Sequence, residues 1–277
     1  MDLESLKETP PWDWPEGAGN MLLKILADRE ADESRRLVAV ELAGDPTVIS
    51  DEIVDGLLSV SRSRDEPERL RAMAAISLGP ILEQADMDGF EDRDSVPIAE
   101  ATFRRIQESL RELYMDAGVP KEVRRRVLES SVRAPQDWHQ DAVRAAYAGT
   151  DEDWKLTALF SMRWVRGFEE QILEALDSEN EGLLYQALCA AGNWGLAEAW
   201  PRVSGLVSSG NTEKELLLAA IDATVCIRPE EAGETLVDLL DSGDEEVVEA
   251  VHTALALAGE LTDELDEDPD RDGEEAG

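Results

Sequence analysis

One pattern of apolar and small residues recurs along this chain at helix-face spacing, and it constrains the fold more than any other feature. The clearest copy is Leu70-Arg71-Ala72-Met73-Ala74-Ala75-Ile76-Ser77-Leu78-Gly79. Its first, fourth, fifth, eighth and ninth residues are apolar or small, which is one face of a 3.6-period helix. Similar segments begin at Ser34, Val123, Trp154, Leu183, Leu216 and Val247, and the intervals from Ser34 onward are 36, 53, 31, 29, 33 and 31 residues. The clustering near 31 fits a unit of two helices joined by short turns.

Between these segments lie second amphipathic stretches: Asn20–Glu30, Ile49–Arg62, Ile98–Met115, Asp137–Tyr147, Phe168–Leu176, Leu196–Val207 and Glu231–Leu240. Asp32, Asp65, Asp151, Asn180, Asn211 and Asp244 precede the template helices and can cap them by accepting backbone N–H bonds. Gly79, Gly167, Gly195 and Gly259 stand where a left-handed C-cap is wanted. Sustained period-2 alternation is missing, also around the Asp-Gly pairs at 55–56, 88–89 and 272–273, so no hairpin and no strands are expected. A helix pair cannot bury its apolar face alone, so neighbours must stack. The expected fold class is all-α, an α-α superhelix of about seven helix pairs.

The pattern resembles the HEAT-repeat family in its short prokaryotic form, an armadillo-type helical solenoid. The family's second helix reads roughly Val-Arg-x-x-Ala-x-x-Ala-Leu-x-x-Ile-Gly. Leu70-Arg71 through Ser77-Leu78-Gly79 and Val247 through Ala254-Leu255 and Ala258-Gly259 match it best, and the resemblance covers residues 20–260. Its Arg is matched by Arg35, Arg71, Arg124 and Lys155, and lost at Leu184, Leu217 and Val248.

Residues 1–19 read as an N-terminal cap, with Pro15 at a first helical position and Trp12 or Trp14 covering the open end. The 53-residue interval holds an acidic loop insertion near 84–97. Residues 261–277 read as a disordered acidic tail, because ten acids and one Arg between Glu260 and Glu275 leave little to bury.

The chain has 63 Asp and Glu against 26 Lys and Arg, a net charge of −37. Such a surface repels phosphate backbones and anionic lipids, which disfavours nucleic acid and membrane partners. It suits either a basic partner or a high-salt habitat. The one net-positive stretch is Thr102–Arg133. No apolar run is long enough to span a bilayer, and the start lacks the basic and apolar segments of a signal peptide. Two cysteines give no disulfide framework, so a cytoplasmic location is expected.

Catalytic and metal signals are poor. His139 and His252 fall in different repeats, Cys189 and Cys226 are 37 apart, and no zinc or C-x-x-C spacing occurs. Iron-binding hydroxylases built on such repeats use paired His-Glu motifs that this chain lacks. Placing Gly89 sixth in a calcium loop puts Gln84 first and Ser95 twelfth, so Asp86–Asp94 fails that pattern. No cofactor, metal or catalytic residue is expected.

The resemblance implies that second helices line a concave face. Their third, seventh and eleventh positions then form a stripe: Arg125, Glu129, Arg133; Leu156, Phe160, Trp164; Tyr185, Cys189, Asn193; Leu218, Asp222, Cys226. Arg, Trp and Tyr are favoured at binding hot spots, so Arg125, Arg133, Phe160, Trp164, Tyr185, Asn193 and Asp222 are the candidate partner-binding residues. Alternatively, the aromatics fill gaps between repeats. Arg124 is expected to pair with acids of a neighbouring repeat, and Trp138-His139 to be structural. The expected function is a non-enzymatic scaffold or adaptor for a protein or peptide partner, a basic one included. The alternatives are a DNA-glycosylase-like enzyme, which the net charge opposes, and a chromophore-lyase-like one, for which no pigment site is seen.

Overall fold

The computed structural model describes residues 2–91 and 96–267, the side chains of Glu260 and residues 262–267 excepted. No strand occurs among the described residues. The α-helices in chain order are α1 (Leu3–Glu8), α2 (Ala18–Ala27), α3 (Glu33–Ala43), α4 (Asp51–Arg62), α5 (Glu68–Ile76), α6 (Gly79–Asp88), α7 (Glu100–Met115) and α8 (Lys121–Ser131). They continue as α9 (Asp137–Ala148), α10 (Glu152–Ser161), α11 (Glu169–Ala175), α12 (Glu181–Asn193), α13 (Trp200–Ser208), α14 (Lys214–Ile227), α15 (Pro229–Leu236) and α16 (Glu245–Glu267).

Two units divide the chain, Met1–Ala146 and Tyr147–Gly277. In the first, α2/α3, α4/α5 and α7/α8 are antiparallel-type pairs whose second helices pack in series, α3 on α5 and α5 on α8. In the second, α11/α12, α13/α14 and α15/α16 pair likewise, and α10, α12, α14 and α16 pack in series. Each unit is thus a helical-repeat stack, and every template segment and intervening amphipathic stretch of the sequence lies on a helix. The shared spine holds Leu57, Leu70, Leu78, Ile106, Leu110 and Leu128 in unit 1, and Leu159, Leu188, Ala220, Ile221 and Val251 in unit 2, all essentially inaccessible.

The fourth residue of every second helix sets the register: Arg36, Arg71, Arg124, Lys155, Leu184, Leu217 and Val248. This moves the first repeat by one residue, so Arg36 and not Arg35 holds the place that Arg71 and Arg124 hold in their helices. The three arginines share one task. Arg36 Nη2 donates to the Leu26 carbonyl (3.0 Å), Arg71 Nε to that of Ser61 (3.1 Å) and Arg124 Nε to that of Tyr114 (2.8 Å). Each acceptor lies ten residues upstream in the last turn of the preceding helix. A cation there satisfies an orphan carbonyl and opposes the negative helix end. Arg124 therefore serves its own pair and also stacks over the Tyr114 ring at 5.2 Å. Arg36 additionally grips Glu66 through two bonds of 2.6 and 2.9 Å, with both side chains buried.

Caps follow chemistry more than position. Asp32, Asp151, Asn180 and Asp244 accept first-turn N–H bonds as expected. Asp65 does not, because Pro67 precedes α5, and Glu213 replaces Asn211 at the start of α14. Gly167 and Gly195 adopt positive φ, and the Leu196 N–H returns to the Ala191 carbonyl in a Schellman closure. Gly79 instead begins α6 beside Pro80, and Gly259 lies inside α16.

Three boundaries differ from the expectation. Pro15 does not start a helix: α2 begins at Ala18 after Gly17, whose φ is +90°. Trp14 anchors the N-terminal segment by donating its indole N–H to Leu6 and Thr9 carbonyls, while Trp12 is exposed. The acidic insertion begins as helix, because Ile81, Leu82 and Ala85 bury one face of α6 as far as Asp88. Phe90 packs against Phe103, and Val96 and Ile98 are buried, which pins the chain between α6 and α7 at both ends. Residues 92–95 of the insertion lie outside the described residues. At the far end α16 runs on to Glu267, into the segment expected as tail, and residues 268–277 of that tail lie outside the described residues.

Candidate functional site

The second helices α12 and α14 come closest where Gly192 meets Ala223. A Cβ on Gly192 would stand 3.1 Å from the Ala223 Cα and 3.3 Å from its Cβ. This close approach makes the floor of an open groove in unit 2 with a volume of about 610 Å³. Leu188, Gly192, Ala219 and Ala223 form the floor, with Tyr185, Cys189 and Asn193 on one wall and Glu215, Leu218, Asp222 and Cys226 on the other. Arg163 closes one edge. Gly192→Val is expected to cost about 1–3 kcal/mol, because the backbone of α14 must move to admit the branch; a thermal melt followed by circular dichroism checks it.

The groove brings together Tyr185, Asn193 and Asp222 of the expected stripe, with Cys189, Leu218 and Cys226. Tyr185, Asn193 and Asp222 are exposed. Phe160 and Trp164 do not line it. Helix α10 ends at Ser161, so Trp164 sits in the following turn, and its ring packs on that of Phe160 with centroids 4.9 Å apart. The Arg163 guanidinium lies over both, 5.0 Å from Trp164 and 5.8 Å from Phe160. The aromatics thus hold the cation that borders the groove. The Asn193 amide donates to the Arg163 carbonyl (2.7 Å) and the Trp194 indole to that of Met162 (2.7 Å), which fixes the turn against the end of α12.

Arg125 and Arg133 belong to unit 1 and sit elsewhere. Arg125 is buried, 2.9 Å from Glu122 and 3.9 Å from Glu129. Arg126 reaches the same two acids at 2.9 and 2.6 Å, which holds its guanidinium firmly protonated. Arg133 packs beneath Gly79 and pairs with Glu83 at 2.7 Å. The stripe cations of the basic stretch are therefore paired with acids, Glu122 and Glu129 within it and Glu83 outside it.

Sequence reasoning misses Arg163 and Glu215. The signal for Arg163 is its place between Phe160 and Trp164; Glu215, in a helix first turn, gives no signal.

The groove's electrostatics are those of a partly dried polar surface. Burial pushes the Asp222 carboxyl above the usual carboxylate range, with no cation to lower it. Burial likewise raises both thiols, outweighing the influence of Arg163 on Cys189. The Tyr185 hydroxyl is raised by the neighbouring Cys189 and by burial. A thiol raised in this way is a poor nucleophile near neutrality.

His139 is structural, as expected. It is buried at the third residue of α9, where Nδ1 accepts the Gln136 N–H (2.8 Å) and Nε2 meets Ser131 Oγ (2.9 Å). His252 is exposed on α16. No group of three or more His, Cys, Asp or Glu suited to a metal occurs among the described residues. Nor, among them, is any helix long and apolar enough to cross a membrane.

No family model matches the chain, and no curated protein matches it in sequence. Among solved structures it is similar to an engineered protein, with 20% identity, a TM-score of 0.42, and coverage of 75% of this chain and 96% of that one. It is also similar to human deoxyhypusine hydroxylase in complex with glycerol, with 14% identity, a TM-score of 0.41, and coverage of 93% and 88%.

Proposed function

We propose that the chain is a HEAT-repeat adaptor, a non-enzymatic cytoplasmic scaffold that holds a protein or peptide partner in the groove over α12 and α14. One observation carries this reading: stripe residues of two successive repeats, Tyr185, Asn193 and Asp222, converge on one open groove with an apolar floor. An open trough with a hydrophobic base and a polar rim matches the anatomy of protein interfaces. The thiols are not activated, which favours binding over nucleophilic chemistry. Both cysteines are free, in keeping with a reducing compartment.

The test is affinity purification from the native cell with the wild-type chain and with Trp164→Ala plus Tyr185→Ala in parallel. Any true partner is expected to fall by about tenfold or more in the variant, because truncating a central aromatic removes a hot spot. Helicity is expected to be unchanged, since Tyr185 is exposed and Trp164 lies outside the helix. Undiminished capture would count against the groove. Tight, salt-sensitive binding to duplex DNA at low salt would favour the glycosylase-like alternative instead.

A further inference from the structure

The groove carries charge that the surrounding fold leaves unanswered. Arg125 and Arg133, the stripe cations of unit 1, are matched by Glu122, Glu129 and Glu83. In the unit 2 groove, by contrast, Arg163, Glu215 and Asp222 form no ion pair among the described residues. Two carboxylates line the α14 wall and one guanidinium closes the opposite edge. We propose that this groove receives a lysine or arginine side chain from an extended basic segment of a partner protein, with Asp222 as counter-ion and the Tyr185 ring against the aliphatic stem. The inference rests on the adaptor reading and names the partner's chemistry.

Several features favour this occupant. The floor of Leu188, Gly192, Ala219 and Ala223 is apolar and low, so it takes the methylene stem of a basic side chain while the charged head reaches the rim. Asp222 stands on the groove wall with no cation beside it, so a bound basic head group meets an unmatched carboxylate. The Nε of Arg163 is buried without a hydrogen-bond partner. Its guanidinium, held near the Trp164 and Phe160 rings, is placed to donate to backbone carbonyls of the bound segment. An anionic ligand would gain Arg163 but meet Glu215 and Asp222, against the field of a chain with a net charge of −37. The cation wins on both local and long-range terms.

General attraction of basic peptides to an acidic protein must be separated from recognition. The probe is a short Ser/Ala peptide with one central Arg, titrated by calorimetry at low salt into the full chain, alongside its citrulline and Glu counterparts. The Arg peptide is expected to bind about tenfold or more tightly than either counterpart. Asp222→Asn is expected to remove about tenfold of that affinity. Glu198→Gln, which deletes an exposed charge outside the groove, is expected to change it by less than about twofold. Circular dichroism shows that each variant keeps its helices. Equal losses in the two variants, or equal binding of the citrulline peptide, would overturn the inference. If the citrulline or Glu peptide binds and Tyr185→Ala abolishes it, the groove is still an adaptor site and only the basic preference falls. If no peptide binds in a Tyr185-dependent way, both readings fall.

Discussion

Glu66→Ala is expected to cost unit 1 about 3–5 kcal/mol of stability, the largest effect foreseen for a single polar substitution in this chain. Both side chains of the Arg36–Glu66 pair are buried, at 5% and 7% exposure. The carboxylate faces the guanidinium through two bonds, and that contact holds the Glu66 carboxyl below its ordinary range. Removing the acid leaves Arg36 charged and dry, with only the Leu26 carbonyl for company. Its Nε already lacks a partner. Arg36→Met combined with Glu66→Leu is expected to recover most of the loss, since it removes both charges and keeps the volume. Urea unfolding followed by circular dichroism measures both. A loss below about 1 kcal/mol for Glu66→Ala would mean that the pair behaves as an exposed one.

Acid is expected to weaken unit 1 through His139. Burial lowers its folded-state pKa to about 4 from an ordinary 6.5. The Gln136 N–H bond needs a bare Nδ1, so only the neutral ring keeps it. Nδ1 accepts from Gln136 and so carries no proton; the proton lies on Nε2 and points at Ser131 Oγ, which donates in turn to the Leu128 carbonyl. An imidazolium would set Nδ1–H against the Gln136 N–H. The unfolded chain takes up the proton first, so the stability due to neutral His139 is fully present above pH 6.5. It is lost progressively as pH falls from 6.5 to 4, by about 3 kcal/mol in all. His139→Gln isolates the effect. Glutamine at the third helical position can still accept the Gln136 N–H, as in a capping box, and does not titrate. The stability difference between wild type and variant is expected to move by about 3 kcal/mol towards the variant between pH 7 and pH 4. A constant difference would show that His139 titrates normally.

The fold is legible in the sequence because its period is carried by many residues at once. No single substitution hides the apolar face shared by Leu70, Ala74 and Leu78 with their counterparts at Leu216, Ala220 and Thr224. Features decided by one neighbour are not legible in this way. Arg35 and Arg36 are equivalent by pattern, and only the distance to the Leu26 carbonyl chooses between them. Gly79 looks like a helix stop, yet the buried faces of Ile81 and Leu82 make it a start. The stripe is half readable for the same reason. Tyr185, Asn193 and Asp222 share a groove because α12 and α14 are regular and touch at Gly192. Trp164 leaves the line because α10 stops one turn early. Arg125 looks like a free cation in sequence, but its acids at 122 and 129 lie on the same helix and reach it first.

The arginine clasps of α3, α5 and α8 all reach back ten residues within their own hairpin. Contacts so local close a loop at little entropic cost. Each hairpin of unit 1 can therefore knot itself as soon as its second helix leaves the ribosome, before any later repeat exists to dock against. From Leu184 onward the clasp residue is apolar, and a nascent hairpin there gains its strength only on meeting its neighbour. Within unit 1, synthesis and hairpin closure then run in the same direction, each clasp fastening before the next helix pair is made.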